Sequence, residues 1–187
     1  MLVKIKARRG FYLWYYFRNE ELKKVNIAYI DAANLHKVAQ SLEWELDYAR
    51  FRVWLKDKYN VDKAYIFIGL IPRYTALYTY LSESGFTLVY KEVVYQNGSG
   101  TPKGNCDTDL IMKAMEDFYE GRLDRAVLVS SDGDYAPLVK KLQEADAFEV
   151  IVSPALTEQC SILLKKLNSK IAYLHDQKTV LEKKIRN

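Results

Sequence analysis

Residues 124–153 constrain the fold of this chain more than any other segment does. The short apolar run at residues 126–129 is typical of a buried strand, and it ends abruptly at the turn Ser-Ser-Asp-Gly-Asp, residues 130–134. A helical pattern follows, with apolar residues at spacings of four and three, and a second apolar strand covers residues 149–152. Strand, turn, helix and strand in this order predict a βαβ unit, in which sites lie beyond the carboxyl ends of the parallel strands.

Asp132 and Asp134 stand at that edge of the predicted sheet, with Gly133 between them. We expect Gly133 to let the backbone turn tightly, so that the two carboxylates converge. A helix-capping role is the alternative, because Asp is a favourable N-cap residue. Capping accounts for one aspartate, but it leaves the second one and the acidic residues elsewhere in the chain without a role.

The rest of the chain continues the alternation of strands and helices. Further strands are predicted at residues 26–30, 64–70 and 87–95, and further helices around residues 44–55, 74–84, 107–119 and 157–186. This alternation predicts an α/β fold, with a parallel central sheet, helices on both faces and a long C-terminal helix. We expect the early part of that last helix to pack on the sheet and its late part to project.

Cysteine and histidine are too scarce for two common kinds of site. The two Cys residues among 187 are too few for a disulfide framework, and they do not form a CxxC pair. With only two His residues, a zinc site built from Cys and His ligands is not expected. The cytoplasm is therefore the default compartment for this protein.

The net charge of +4 hides an uneven distribution along the chain. Residues 1–24 and residues 165–187 each carry seven Lys or Arg and two acidic residues, whereas residues 25–164 carry 14 basic and 20 acidic residues. An acidic centre between two basic ends suits a metal site with arms that bind a polyanion. Charged ends that are simply solvated are the alternative.

An unbroken aromatic and apolar run at residues 11–17 marks the N-terminal segment. The run is far shorter than the ~20 residues that a membrane-spanning helix needs. We interpret it as a strand or short helix that packs on the domain or on a second copy of the chain, with base stacking as a second choice. The predicted organisation is a basic aromatic extension at residues 1–24, a domain at 25–155 and a C-terminal helix with a basic tail at 156–187. A homodimer could form through the extension or through that helix.

Three predicted elements bring carboxylates to their ends. Asp31 ends a strand, Asp107 and Asp109 begin a helix, and Asp132 and Asp134 follow another strand. Clustered carboxylates repel one another unless a cation neutralises them, and oxygen ligands without His or Cys favour Mg²⁺ or Mn²⁺. Such sites serve phosphoryl transfer or phosphodiester hydrolysis. Because positions two apart on a helix point to opposite faces, we expect Asp109 to face away from the metal and to serve the helix N-terminus.

Three segments resemble the motifs of the NYN domain, a branch of the PIN-like nucleases. They are YIDAANL at residues 29–35, KGNCDTDL at 103–110 and AVLVSSDGDYAPLV at 126–139, and the resemblance covers residues 26–174. It implies a PIN-like, Rossmann-like α/β sandwich and the activity of a metal-dependent ribonuclease.

The resemblance also implies roles for individual residues. The metal ligands and catalytic residues carried over by motif are four carboxylates: Asp31, Asp107, Asp132 and Asp134. Asn34 would orient a ligand or contact substrate, and Lys103 would offset phosphate charge; a turn residue and a solvated loop lysine are the alternatives. Where many relatives have Ser-Gly before Asp-Gly-Asp, this chain has Ser130 and Ser131, which changes the backbone freedom but removes no carboxylate.

The intact acidic set favours a Mg²⁺- or Mn²⁺-dependent endoribonuclease that acts on single-stranded or structured RNA. The alternative is a nucleic-acid- or protein-binding module on a PIN-like scaffold, since fold does not dictate function. Such a module has no need to keep mutually repelling aspartates. A phosphatase with an aspartate nucleophile is less favoured, because Asp31 is followed by Ala-Ala-Asn, with no second aspartate two residues on.

Overall fold

The computed structural model describes residues 2–6, 12–16, 23–39, 44–91, 94–95, 102–103 and 106–184. Its strands, in chain order, are β1 Leu2–Lys6, β2 Tyr12–Tyr16, β3 Val25–Asp31, β4 Val61–Gly69, β5 Thr87–Lys91, β6 Val94–Tyr95, β7 Pro102–Lys103, β8 Leu123–Val129, β9 Phe148–Ser153 and β10 Ile171–Tyr173. Its α-helices are α1 Ala32–Ala39, α2 Tyr48–Tyr59, α3 Thr75–Glu83, α4 Asp107–Tyr119, α5 Ala136–Glu144, α6 Ile162–Lys165 and α7 Lys178–Leu181.

Six strands form one parallel sheet in the order β10-β9-β8-β3-β4-β5. The predicted α/β fold with a parallel central sheet is therefore confirmed. The chain builds from β3 through β4 to β5, then crosses to β8 on the other side of β3. Such a reversal of strand order opens a crevice at the carboxyl ends of the two central strands. Asp31 and the acidic turn after β8 stand at this crevice.

The apolar residues of the strands alternate between the two faces of the sheet. On β3, Ala28 and Ile30 belong to the core that α2 and α3 cover, whereas Ile27 and Tyr29 belong to the core that α4 and α5 cover. Both faces of the sheet are thus buried, which explains why its strands are nearly continuous apolar runs. The prediction of helices on both faces is confirmed.

The C-terminal region corrects the prediction of one long helix at residues 157–186. It folds as α6, β10, a 3-10 helix at Leu174–Gln177 and α7. Asn168 interrupts the helical path because its φ of 52° lies in the left-handed region. Residues 171–173 then add a sixth strand to the sheet by pairing with β9.

α7 is fixed to the domain and does not project from it. Leu181 is fully buried, and its carbonyl accepts a hydrogen bond of 2.9 Å from the N–H of Asp47. The N–H of Lys183 donates to the carbonyl of Glu45, also at 2.9 Å. The prediction of a projecting late part is wrong, because the apolar residues of this region are used in the core. The homodimer expected through this region remains a prediction.

Two other predicted elements have different bounds. The helix expected around residues 44–55 begins at Tyr48, since Asp47 caps it by accepting a hydrogen bond from the N–H of Arg50. The strand expected at residues 87–95 is divided, because β5 ends at Lys91 and β6 pairs with β7 in a separate antiparallel sheet.

Residues 12–16 of the N-terminal aromatic run form a strand rather than a helix. β2 pairs with β1 in an antiparallel hairpin, with Lys4 opposite Trp14 in the register. The three-part domain division remains a prediction. Among the residues that the structure describes, none of the helices has the length and apolar character needed to cross a membrane.

Candidate active site

Four aspartates lie at the carboxyl edge of the sheet. Asp31 is the last residue of β3, Asp107 is the first residue of α4, and Asp132 and Asp134 lie in the turn that follows β8. One carboxylate oxygen from each of Asp107, Asp132 and Asp134 lies within 4.8 Å of the others. Two segments that are far apart in sequence, α4 and the turn after β8, therefore place three acidic groups in one small volume.

Tyr135 links Asp31 to this group. Its hydroxyl lies 2.5 Å from Oδ1 of Asp107 and 3.3 Å from Oδ2 of Asp31. The Tyr135 side chain is fully buried, and this burial, together with the negative charges of Asp31 and Asp107, raises the pKa of its hydroxyl. The hydroxyl therefore stays protonated and donates to the carboxylates.

Asp31 is the most buried of the four carboxylates. Burial raises the pKa of Asp31, and the charge of Asp107 raises it further. The N–H of Asn34 donates to Oδ1 of Asp31 at 3.0 Å and acts in the opposite direction on that pKa, as does the Tyr135 hydroxyl. The net effect is a raised pKa, so keeping Asp31 charged costs more free energy here than it would in water.

Asp132 combines two roles that the sequence presents as alternatives. Its Oδ1 accepts a hydrogen bond of 3.1 Å from the N–H of Asp134, so it caps the 3-10 helix at Gly133–Tyr135. The N–H of Asp132 donates to Oγ of Ser130 at 3.1 Å. Capping fixes the turn that also brings the Asp132 carboxylate close to Asp107 and Asp134.

Gly133 is required for a different reason from the expected one. Its φ is not positive, unlike those of Gly85 and Gly121, so another residue could adopt its backbone conformation. A Cβ at this position would instead collide with Oγ of Ser161 and lie 3.2 Å from Cβ of Ser161. The segment before α6 packs directly on the acidic turn, and the N–H of Ser161 donates to the carbonyl of Ser131 at 3.1 Å. Glycine is thus needed for close approach rather than for turning.

Asn34 ties α1 to the acidic turn. Its Oδ1 accepts hydrogen bonds from the N–H of Ser131 at 3.0 Å and from the Ser131 hydroxyl at 2.9 Å. Ser131, which departs from the Ser-Gly of many relatives, therefore supplies an additional hydrogen bond at this position. These contacts give Asn34 a positioning role for the turn. A substrate contact by Asn34 remains a prediction.

Asp109 does not belong to the carboxylate group that the structure describes. Asp109 lies in the first turn of α4 and pairs with Lys91, whose Nζ is 2.6 Å from Oδ2 of Asp109. This agrees with the expectation that Asp107 and Asp109 face different directions. The side chain of Lys103 lies outside the described part of the chain, and its role in offsetting phosphate charge remains a prediction.

Sequence reasoning missed three residues that shape the site, namely Tyr135, Ser131 and Ser161. The sequence signal for Tyr135 is its position directly after Asp134. In the sequence alone, however, Tyr135 cannot be distinguished from an ordinary core aromatic residue at the start of a helix. The contacts of Ser131 and Ser161 depend on segments that meet only in the folded chain.

The site offers oxygen ligands of a hard type. Burial raises the pKa of the neighbouring Cys106 thiol to about 11, so this side chain is protonated and is a poor metal ligand. Three mutually close carboxylates carry a concentrated negative charge, which a divalent cation such as Mg²⁺ or Mn²⁺ would neutralise. The donor set therefore fits a hard divalent cation.

Comparisons with known proteins agree with this fold. The family model described as NYN domain matches residues 26–173. A crystal structure of a protein of unknown function from Vibrio parahaemolyticus is similar, with a TM-score of 0.63 and 21% sequence identity over 84% of this chain and 96% of that chain. At this identity the likeness shows a common fold. The comparison with curated proteins gives no significant match.

Proposed function

This chain belongs to the NYN domain family of PIN-like nucleases, and from that premise we propose that it is a Mg²⁺- or Mn²⁺-dependent endoribonuclease that hydrolyses single-stranded RNA. The observation that carries the proposal is the group of three carboxylates, Asp107, Asp132 and Asp134, whose oxygens lie within 4.8 Å of one another. Such crowding of like charges is unfavourable by itself, and it is explained by a requirement for a cation at that point.

Asp107, Asp132 and Asp134 would hold the cation, with Asp31 beside them through Tyr135. When bound, a divalent cation supplies charge neutralisation and Lewis acidity toward a phosphodiester. The Tyr135 hydroxyl holds Asp107 and Asp31 in fixed orientations. The hydrogen bonds of Asn34 to Ser131 keep the acidic turn in place relative to α1.

The raised pKa of Asp31 suits it to accept a proton. In the proposed hydrolysis, the oxygen of a water molecule bonds to phosphorus and Asp31 accepts the proton that this water loses. The bond from phosphorus to the leaving oxygen breaks, and the leaving oxygen takes a proton from solvent. RNA is favoured as the substrate by the family relationship and by the basic ends of the chain, which suit a polyanion.

The proposal is tested by incubating labelled single-stranded RNA with the protein in Mg²⁺, in Mn²⁺ and in chelator. α4 provides a matched pair of variants, because Asp107 and Asp109 are two residues apart and only Asp107 belongs to the carboxylate group. Asp107→Asn should lower kcat/KM by about a hundredfold or more, since metal ligation is a shared requirement of the reaction. Asp109→Asn should retain most of the activity.

Two results would contradict the proposal. Cleavage that persists in chelator would show that the carboxylates do not act through a cation. RNA binding without cleavage under any metal would instead assign the chain to the class of nucleic-acid-binding modules.

A further inference from the structure

A cavity of about 260 Å³ opens next to the candidate active site and shares two walls with it. One wall is the start of α1, where Ala33 lies two residues after Asp31. Another wall is Cys106, which directly precedes Asp107. Phe67 also lines the cavity and is the register partner of Asp31 in the sheet. The cavity is therefore adjacent to the edge of the sheet that carries the aspartates.

The lining of this cavity is apolar, with an aromatic contribution. Leu35, Ile66 and Leu81 are buried at its floor, whereas Ala33 and Tyr74 are exposed at its rim. Among the described lining residues there is no Lys, Arg, Asp or Glu. The polar side chains among them are His36, Tyr48 and Tyr74. With no permanently charged side chain in the lining, a phosphate would lose most of its hydration there. A flat ring system with apolar faces would lose little.

The size of the cavity limits the ligand further. Pockets for drug-sized ligands measure about 300–1,000 Å³, so this smaller cavity suits a single ring system rather than a nucleotide with its sugar and phosphate. At the rim, the exposed guanidinium of Arg73 lies 4.9 Å from the ring centroid of Tyr74. A cation at this place can contact a phosphate of the same strand outside the cavity.

We propose that this cavity binds one nucleobase of the RNA next to the scissile phosphate, and so fixes which phosphodiester reaches the carboxylates. The inference rests on the proposed function, because it takes the carboxylate edge as the place of cleavage. The base enters between Ala33 and Tyr74 and lies against the side chains of Ile68 and Leu77, which share one face of the sheet. Its sugar and phosphate stay outside, at the carboxylate edge.

The experiment uses a short single-stranded RNA with one mapped cleavage position and a series of derivatives that each carry one abasic nucleotide. Stacking of a base on aromatic side chains contributes about 1–3 kcal/mol. Removing the base that binds in the cavity should therefore lower kcat/KM about fivefold or more, by the conversion of 1.4 kcal/mol per tenfold. Abasic nucleotides at positions remote from the cleavage point should change kcat/KM less than about threefold.

Two variants fill the cavity from opposite walls. They are Ala33→Trp on α1 and Leu77→Trp on α3. The matched control is Ala76→Trp, which replaces an exposed alanine of α3 that does not line the cavity. Both filled variants should cleave the parent RNA about as slowly as the wild-type protein cleaves the critical abasic RNA, and the abasic nucleotide should have no additional effect on them. The control should behave like the wild-type protein.

Folding and the carboxylate site are checked separately. Melting temperatures show whether each variant folds, and an unchanged Mn²⁺-dependent rise in melting temperature shows that the carboxylates are undisturbed. If a filled variant does not fold, the abasic series on the wild-type protein and the other filled variant decide the question.

The inference and the proposed function fail in different ways. If RNA is cleaved but no abasic position lowers kcat/KM more than about threefold, the proposed binding of a base in the cavity is overturned, whereas the proposed nuclease activity is not. Filled variants that keep the abasic sensitivity of the wild-type protein would also overturn it. If no RNA is cleaved, the same series is measured as binding affinity in chelator. The proposal that the cavity binds a base is then supported only if one abasic position weakens binding to the wild-type protein and does not weaken binding to the filled variants.

Discussion

Tyr135 is the residue through which the four aspartates become one site. Its buried hydroxyl contacts carboxylates that come from β3 and from α4. A phenylalanine would fill the same space but would donate no hydrogen bond to either carboxylate. The arrangement of Asp31 relative to Asp107 therefore depends on one hydroxyl group.

Tyr135→Phe should lower the free energy of unfolding by about 1–3 kcal/mol, because buried acceptors lose a donor. Urea unfolding in chelator measures the change. The control is Tyr80→Phe, since the hydroxyl of Tyr80 also donates to an aspartate, Asp47, at 3.3 Å but does so at the surface. Tyr80→Phe should change stability by less than about 0.5 kcal/mol. Equal effects of the two substitutions would show that the buried hydroxyl of Tyr135 contributes no more to stability than the exposed hydroxyl of Tyr80.

Asp31 gives the metal-free protein a defined pH dependence. Its folded-state pKa is raised above the ordinary value of 3.8, so the folded protein keeps this proton at pH values where the unfolded chain has lost it. The stability that protonated Asp31 contributes is present at low pH and is lost as the pH rises through the folded-state pKa. The Asp31→Asn variant has no proton to lose at this position.

In chelator, the free energy of unfolding of Asp31→Asn minus that of the parent should therefore grow as the pH rises above 3.8. It should level off once Asp31 is ionised in the folded protein. Urea titrations at a series of pH values measure this difference. A difference that does not vary with pH would show that the burial of Asp31 has no energetic consequence.

At the residue level, the carboxylates could be predicted and their supporting contacts could not. Asp31 and Asp132 end apolar runs, and the ends of parallel strands meet at one edge, so their proximity follows from the pattern. Tyr135 and Ser161 have no such signature, because their contacts join segments that are distant in sequence. The role of Gly133 was misjudged for the same reason, since the crowding that requires it comes from Ser161.

At the scale of elements, the C-terminal region shows where periodicity fails. Apolar residues at spacings of three and four predicted a helix through residues 157–186, but the same residues also suit a short strand followed by single helical turns. The pairing of β10 with β9 and the left-handed conformation of Asn168 decided the outcome. The pairing is a tertiary feature, which a local pattern does not contain, whereas Asn is a residue type that commonly ends helices in the left-handed conformation.

Leu181→Ala tests whether this region is part of the core. Leu181 is fully buried, so its truncation should lower the free energy of unfolding by about 2–5 kcal/mol. The adjacent residue Val180 is 48% exposed, and Val180→Ala should change stability by less than about 0.5 kcal/mol. Denaturant unfolding of both variants measures the contrast. A negligible effect of Leu181→Ala would mean that the region is a detachable tail.

At the scale of the whole molecule, folding and metal binding are linked through the carboxylate edge. The fold forces carboxylates from three elements together, so global stability without a cation is lower than the packing of the sheet would allow. A cation that binds only the folded state raises global stability by mass action. The melting temperature of the entire protein therefore reports on the site without any knowledge of the substrate.

The most direct test is the Mn²⁺ dependence of melting in the parent and in Asp132→Asn. Asn caps a helix nearly as well as Asp, so this substitution removes the charge and keeps the turn. Mn²⁺ at a hundredfold excess over its Kd should raise the melting temperature of the parent by about 5–10 °C. Asp132→Asn should respond much less to Mn²⁺ and be about 1 kcal/mol more stable than the parent in chelator. Asp109→Asn should respond like the parent. Equal responses of the parent and Asp132→Asn, or no response of the parent, would contradict a metal centre at this edge.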